Sequence, residues 1–307
     1  MGRSVSVILP ARSNAAGTSK ALTSLALAFA SLQLTPQFIL INDNSSENAL
    51  DATLFSFREK NPAYEVIIAR TSERFHYTGV FSLGLHLATG SDVFFMSNDM
   101  ILTTAFLKAL FAVADADEKN GIIRGTSNHT DSHPEHTVVP RRSLTRISEF
   151  NAFAEAQFQR FGKAYVVDHM LSGDAILIKR SVLNQIGVLD TRFFGYFGDV
   201  DFGLRAQIAG FRLVCAKGAW LYHEGAGHIK DEAQGRNHEF EIAYRERMAL
   251  VNTAYEAFKS KWRLDERYNL SDFEASFPDI LREYSAASLP RQDMPADLLS
   301  RVQVSRR

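Results

Sequence analysis

Residues Asp92–Met100 read DVFFMSNDM. Four apolar residues follow Asp92 without interruption, and the run then gives way to Ser97, Asn98 and Asp99. A short continuous apolar run is what a strand buried on both faces requires. The amide and carboxylate therefore stand where such a strand leaves the core. Three more runs have the same form: SVSVILP (Ser4–Pro10), QFILIND (Gln37–Asp43) and EVIIAR (Glu65–Arg70). Helix-length segments separate them, at about Lys20–Leu34, Leu50–Lys60 and Thr78–Ala88. Strands spaced by helices imply parallel pairing with crossover helices. In such sheets ligands bind beyond the carboxyl ends of the strands. Asp43 and Asn98-Asp99 should then face one crevice.

The chain has 307 residues, 46% hydrophobic and 22% charged, as expected for a globular protein able to bury a large core. Lys and Arg number 34 against 35 Asp and Glu, so no basic excess points to nucleic acid. The single Cys215 excludes an internal disulfide framework and suits a reducing compartment. Ala21–Asn42 carries no charge, but Thr, Ser and Gln interrupt it and Pro36 cuts it, so it reads as a helix, a turn and a strand rather than a membrane span. No signal peptide is evident at Met1. The expectation is a cytoplasmic protein, with contact at the inner face of the membrane left open.

Beyond Asp99 a helix (TTAFLKALFAVADAD) leads into a polar stretch, Thr126–Arg146, that contains His129, His133 and His136. It reads as a solvated loop by default, with a metal role as the sharper alternative. YVVDHMLSGDAILIKRSVL and FRLVCAKGAWLYH return to strand patterns. From about Ile229 the chain is charged and mostly helical, ending in VQVSRR, and reads as an appendage for packing or partner contact.

Three acidic positions invite a chemical role. Asp43, in INDNSS, either binds a ribose or base edge or caps the next helix through an Asx-turn. Asp99 is either a hard oxygen ligand for Mg²⁺ or Mn²⁺ beside phosphates or the N-cap of the following helix. In FFGYFGDVDFGLRAQIAG (Phe193–Gly210), Asp201 and Arg205 stand at i and i+4 and read as a surface ion pair. Asp199 has no such duty, and a carboxylate in a partly apolar loop suits a general base. HEGAGH (His223–His228) has i+5 spacing with two glycines between its histidines, which a helical zinc-protease site does not tolerate.

Taken in order, VSVILPARSN, LINDNSSEN, GLHLATGSDVFFMSNDM and LSGDAILIKRSVLNQIGVLDTRFFGYFGDVDFGLRAQIAGFRLVCAKGAWLYHEG resemble the family-2 inverting glycosyltransferases of the GT-A fold, in the branch of single-sugar, rhamnosyltransferase-like enzymes. The likeness runs from about Ser4 to His228. It implies an α/β fold with a mostly parallel central sheet flanked by helices. Residues 1–228 would form the catalytic domain, 1–99 its nucleotide-sugar-binding half and 100–228 its acceptor half, with 229–307 a helical C-terminal extension. The resemblance also implies a UDP- or dTDP-linked sugar donor, Mn²⁺ or Mg²⁺, and a glycan, lipid-linked or peptide acceptor. By position, Pro10, Arg12 and Asp43 would hold the nucleoside. Ser97-Asn98-Asp99 matches the metal motif, with Asp99 the ligand and His223 approaching the ion or diphosphate. Gly173 and Asp174 would line the acceptor side, and Asp199 would be the base. The C-terminal region would supply any membrane contact or homo-oligomer.

Several positions depart from the family pattern. No aromatic stands near Arg12 to stack on a base, Gly198 replaces a common Glu, Ser82 a common Asn, and the metal motif keeps one carboxylate. A Gln-x-x-Arg-Trp sequence is absent, which favours transfer of single sugars. Two other readings compete. A sugar-phosphate nucleotidyltransferase would need a Gly-rich loop with a basic residue after the first strand, and PARSNAAGTSKAL is a poor match. A non-catalytic nucleotide- or glycan-binding relative would fit the thinned metal motif.

Overall fold

The computed structural model describes residues 3–130, 132–225 and 237–306. His228 and the predicted start of the extension at Ile229 lie outside the described residues. Strands β1 (Val5–Ala11), β2 (Gln37–Asn42), β3 (Glu65–Thr71) and β4 (Asp92–Met96) pair in parallel in the order β3-β2-β1-β4. Helices α1 (Ala15–Ser31), α2 (Asn48–Lys60) and α3 (His76–Leu87) make the crossovers. The central residues of the strands are apolar because both faces are covered. Val7, Leu9, Phe38, Leu40 and Phe94 pack into one core with α1 and α2, while Ile8, Ile39, Ile41, Val93 and Phe95 pack into another with α3. The charge-free stretch from Ala21 resolves into most of α1 and the wholly buried β2. Asn14, in the left-handed region at φ 65°, caps α1 by accepting a hydrogen bond from the Gly17 amide. Among the described residues no helix is long and apolar enough to cross a membrane.

The second half completes the sheet differently. It contributes β5 (Met100–Ile101), α4 (Thr104–Ala116), β6 (Asn120–Ser127), α5 (Ile147–Phe161), β7 (Tyr165–Asp168), β8 (Ala175–Lys179), α6 (Arg180–Ile186), α7 (Gly198–Ile208) and β9 (Arg212–His223). β8 runs antiparallel to β4 on one side and β6 on the other, and β9 then pairs parallel with β6. The sheet is therefore parallel through its first four strands and mixed beyond them. Register carries Met96 opposite Ala175 and Met100 opposite His223. These two pairings bring the second half's polar residues to the end of β4.

The C-terminal region is helical over Asn237–Trp262, and its closing residues form an edge strand, β10 (Val302–Arg306), antiparallel to β3. The long helix lays Ala254, Tyr255, Phe258 and Trp262 against Phe193, Phe197, Val200 and Leu204 of the α7 region.

Asp201 and Arg205 do not form the surface pair that their spacing suggests; they are 0% and 1% exposed. Arg205 donates through Nη1 to Ile186 O (2.7 Å) and through Nη2 to Val188 O (2.8 Å), and these carbonyls draw its guanidinium into the core. Lys261 of the C-terminal helix joins the network, 2.6 Å from Asp201 and 2.9 Å from Asp190. Burial works against an ionised Asp190, but hydrogen bonds from Arg192 and Lys261 outweigh it and hold the carboxyl well below its ordinary range. Breaking a buried pair on one side leaves an uncompensated charge. Lys261→Ala should therefore cost about 2–4 kcal/mol in urea unfolding, near the lower end for such losses because Arg192 and Arg205 remain. A loss below about 0.5 kcal/mol would show that the network is dispensable, as exposed pairs are.

Candidate active site

The carboxyl ends of β1, β2 and β4 carry Pro10, Arg12, Asp43, Ser97, Asn98 and Asp99. Asp43 directly follows β2 and is buried. Its Oδ1 accepts from Phe75 N (2.6 Å) and Thr71 Oγ1 (3.2 Å), and its Oδ2 accepts from His76 N (3.1 Å). The capping role therefore falls on the start of α3, not on the next helix as an Asx-turn would have it. Pro10 is the penultimate residue of β1, and Arg12 lies exposed just past the strand. His76, at φ 57°, stands near enough to Arg74 and Arg12 for their charges to add to burial, the larger cause, in lowering its pKa.

Asn98 turns inward. Its Nδ2 donates to Ser13 O (3.0 Å) and Thr18 Oγ1 (2.9 Å), tying the end of β4 to the β1–α1 turn. Ser97 N donates to Asp174 O (3.0 Å). Thr103, not Asp99, caps α4. Asp99 instead meets His223, with Oδ2 3.3 Å from Nε2, while its carbonyl accepts from Glu224 N (2.9 Å). Burial alone would lower the His223 pKa, yet the hydrogen bond and charge of Asp99, helped by Asp174, raise it to about 9. The other ring nitrogen, Nδ1, lies 3.0 Å from His129 O, a contact that requires it to carry a proton. Asn128 fixes the His223 backbone on both sides, accepting from its N–H (2.7 Å) and donating to its carbonyl (2.8 Å).

That arrangement suits a divalent cation. A ligating imidazole normally donates its second N–H to a carbonyl or carboxylate, which aims the remaining lone pair. His223 does so; the Nε2 proton that faces the Asp99 carboxylate would be given up when a cation takes its place between them. One hard oxygen and one imidazole fit Mn²⁺ or Mg²⁺ completed by water and phosphate oxygens.

Asp199 sits in the first turn of α7, after Phe197 at φ 64°. Its Oδ1 accepts from Val200 N (2.9 Å) and its Oδ2 from Gly173 N (3.3 Å). Burial pushes its pKa up to about 6, with the nearby Asp174 carboxylate adding to the effect. Asp174 thus lies within electrostatic reach of both Asp199 and His223, and it joins the two ends of the site. The Arg124 guanidinium, 6% exposed, approaches it at 3.9 Å. Tyr77 donates its hydroxyl to Gly173 O (3.0 Å), and a Cβ on Gly173 would lie 1.6 Å from that hydroxyl oxygen. Gly198 is similarly constrained: a Cβ there would fall 2.3 Å from Thr78 Oγ1, so the Glu common at this position would need Thr78 to move. Ser82 is a packing residue that donates to Leu189 O (3.1 Å).

Tyr77, Arg124, Asn128 and His129 were not singled out by sequence as parts of this site. Nothing marks Tyr77 or Arg124 in the sequence, since their roles follow from contacts with the distant Gly173–Asp174 segment. His129 lies in the polar stretch after β6 that was read as a solvated loop. That reading fails in part, because His133 and His136 are 1% and 7% exposed.

Residues 4–253 match the family model described as glycosyltransferase like family 2. The chain belongs to that family. An N-acetylglucosaminyl-diphospho-decaprenol L-rhamnosyltransferase of Mycobacterium tuberculosis is 31% identical over 100 residues, 33% of this chain and 31% of that protein. The match thus spans about a third of the curated relative. Among solved structures, a mannosyltransferase from Pyrobaculum calidifontis, in complex with GDP-Man and Mn²⁺, aligns over 91% of this chain and 85% of its own with 13% identity and a TM-score of 0.50. GalNAc-T7 with UDP, GalNAc and Mn²⁺ aligns over 72% of this chain and 44% of its own, with 14% identity and a TM-score of 0.54. These likenesses establish the GT-A architecture of this glycosyltransferase.

A raised carboxyl pKa makes a stability prediction with a definite sign. The folded chain holds the Asp199 proton more tightly than an unfolded chain, so stability falls as pH rises toward about 6 and the cost persists above it. Asp199→Asn should raise the melting temperature at pH 8 by roughly 2–4 °C, about 1 kcal/mol, and the gain should fade below pH 6. A gain that is the same at pH 5 and pH 8 would contradict the raised pKa.

Proposed function

We propose that this glycosyltransferase moves a single sugar from a UDP- or dTDP-linked donor to an acceptor hydroxyl with inversion. The observation that carries the reading is the convergence of Asp99–His223 and Asp199 around Asp174 at the open end of the parallel strands. The donor's nucleoside would lie over Pro10, Arg12 and Asp43, its diphosphate toward Asp99 and His223, and its sugar toward Gly173 and Asp174. Asp43 contributes by shaping the floor, since its oxygens are engaged with the start of α3. Asn98 likewise holds the turn that carries Arg12 and Ser13.

Asp99 and His223 would hold Mn²⁺ or Mg²⁺, which when bound neutralises charge on the departing diphosphate. The acceptor hydroxyl oxygen forms a bond to the anomeric carbon as the bond from that carbon to the diphosphate oxygen breaks. The hydroxyl proton passes to Asp199, and the nucleoside diphosphate leaves on the opposite face. A carboxyl with a pKa near 6 remains mostly ionised at neutral pH and is more basic than an ordinary aspartate. Tyr77 and the Gly173 amide keep the loop opposite Asp199 in place.

The acceptor is read as a glycan carried on a lipid diphosphate, ahead of a free glycan or a peptide. Support comes from the rhamnosyltransferase relative, whose name specifies such an acceptor. On this reading the reaction would belong to cell-surface polysaccharide assembly, beside the cytoplasmic face of a membrane.

In calorimetry with Mn²⁺, Asp99→Ala should weaken donor binding at least about tenfold, the equivalent of about 1.4 kcal/mol. Unchanged affinity would remove Asp99 as the ligand. Asp199→Asn should lower turnover by about 10²- to 10⁴-fold with donor affinity nearly intact, the range expected for a lost general base. Turnover equal to the parent enzyme would exclude Asp199 from that role.

A further inference from the structure

Away from the donor crevice, the segment after β6 and the end of β7 bring four ligand-type side chains together. His133 Nδ1 lies 2.9 Å from Glu135 Oε1, and that oxygen lies 3.8 Å from His136 Nε2. His136 Nε2 is in turn 2.7 Å from Asp168 Oδ1 at the end of β7. One donor atom each from His133, Glu135 and His136 falls within a 4.8 Å span. His133, His136 and Asp168 have side chains 1%, 8% and 5% exposed, whereas Glu135 stands at the surface. One feature goes beyond simple hydrogen-bonded pairing. Asp168 Oδ2 is buried with no hydrogen-bond partner, on the same carboxylate that meets His136. A buried carboxylate oxygen without a donor is costly, and a cation beside it would remove that cost.

We propose that His133, Glu135, His136 and Asp168 form a zinc site separate from Asp99 and His223, one that fastens the segment after β6 to β7. Two imidazoles and two carboxylates are a zinc-type donor set, mixed in softness and four in number. Bonds of about 2.0–2.2 Å place tetrahedral ligand atoms about 3.3 Å apart; the contacts from His133 to Glu135, Glu135 to His136 and His136 to Asp168 run from 2.7 to 3.8 Å, and Asp168, which is not among the three residues of the 4.8 Å span, joins them by way of His136. Glu135 at the surface gives the ion a way in. The same segment carries Asn128 and His129, which hold His223 in place. Pinning it would steady the donor-side histidine without supplying it a ligand.

The test uses the full chain, stripped with chelator and titrated with zinc chloride alone against a chromophoric competitor. At least one zinc per chain is expected, since Asp99 and His223 would accept a second. Asp99→Ala should keep one zinc, because the two sites share no ligand. Glu135→Gln, a surface change that leaves the zinc-free melting temperature unaltered, should weaken binding at this site at least tenfold. His136→Ala should abolish it. Zinc should also raise the melting temperature of the parent chain more than that of His136→Ala. Zinc that binds only when Asp99 is intact, that binds Glu135→Gln and the parent equally, or that fails to reach one equivalent would each overturn the site and leave four hydrogen-bonded side chains.

Discussion

The antiparallel alignment of β8 on β4 governs this molecule. It sets Ala175 opposite Met96, and one step further the Ser97 amide meets the Asp174 carbonyl at 3.0 Å. The parallel part of the sheet ends at that point and the mixed part begins there. Because side chains alternate along a strand, a slip of one residue in this register would turn Asp174 toward the opposite face. The short β5–β9 pairing makes the second join and places His223 beside Asp99. The two joins pair residues 79 positions apart (Met96 and Ala175) and 123 apart (Met100 and His223).

The chemistry of the crevice is set by competition between burial and charge. Asp199 and His223 both lose hydration, yet their proton affinities are decided differently. Burial dominates at Asp199 and raises its pKa, whereas at His223 the Asp99 carboxylate overcomes burial. Asp174 acts on both in the same direction. The site therefore keeps a surplus of negative charge, which suits a cation between it and a diphosphate.

The parallel half of the fold was legible because β1 to β4 are buried on both faces and so leave uninterrupted apolar runs. The positions of Asp43 and Asp99 at strand ends could be read for the same reason. The duties of individual polar atoms could not. Asn98 and Asp43 sit where the family motif puts ligand contacts, yet each spends its hydrogen bonds on the backbone of a neighbouring turn and on a threonine hydroxyl. Asp201 and Arg205 have the spacing of a solvated pair, and only the carbonyls of Ile186 and Val188 reveal why they are buried. The histidines after β6 read as loop because their burial comes from β7, a partner supplied by long-range pairing. VQVSRR, at the end of a charged region, gave no hint that its neighbour would be β3.

That last pairing has a consequence for how the protein is made. β3 offers its outer edge to β10, and Val304 meets Ala69 while Arg306 meets Ile67. During synthesis the first seventy residues leave the ribosome long before residues 302–306, so β3 stays uncovered while some two hundred and thirty residues are added. An open strand edge is a template for other chains. Nascent protein should accordingly rely on chaperones until its tail arrives, and cleavage ahead of Val302 would leave a folded but adhesive molecule.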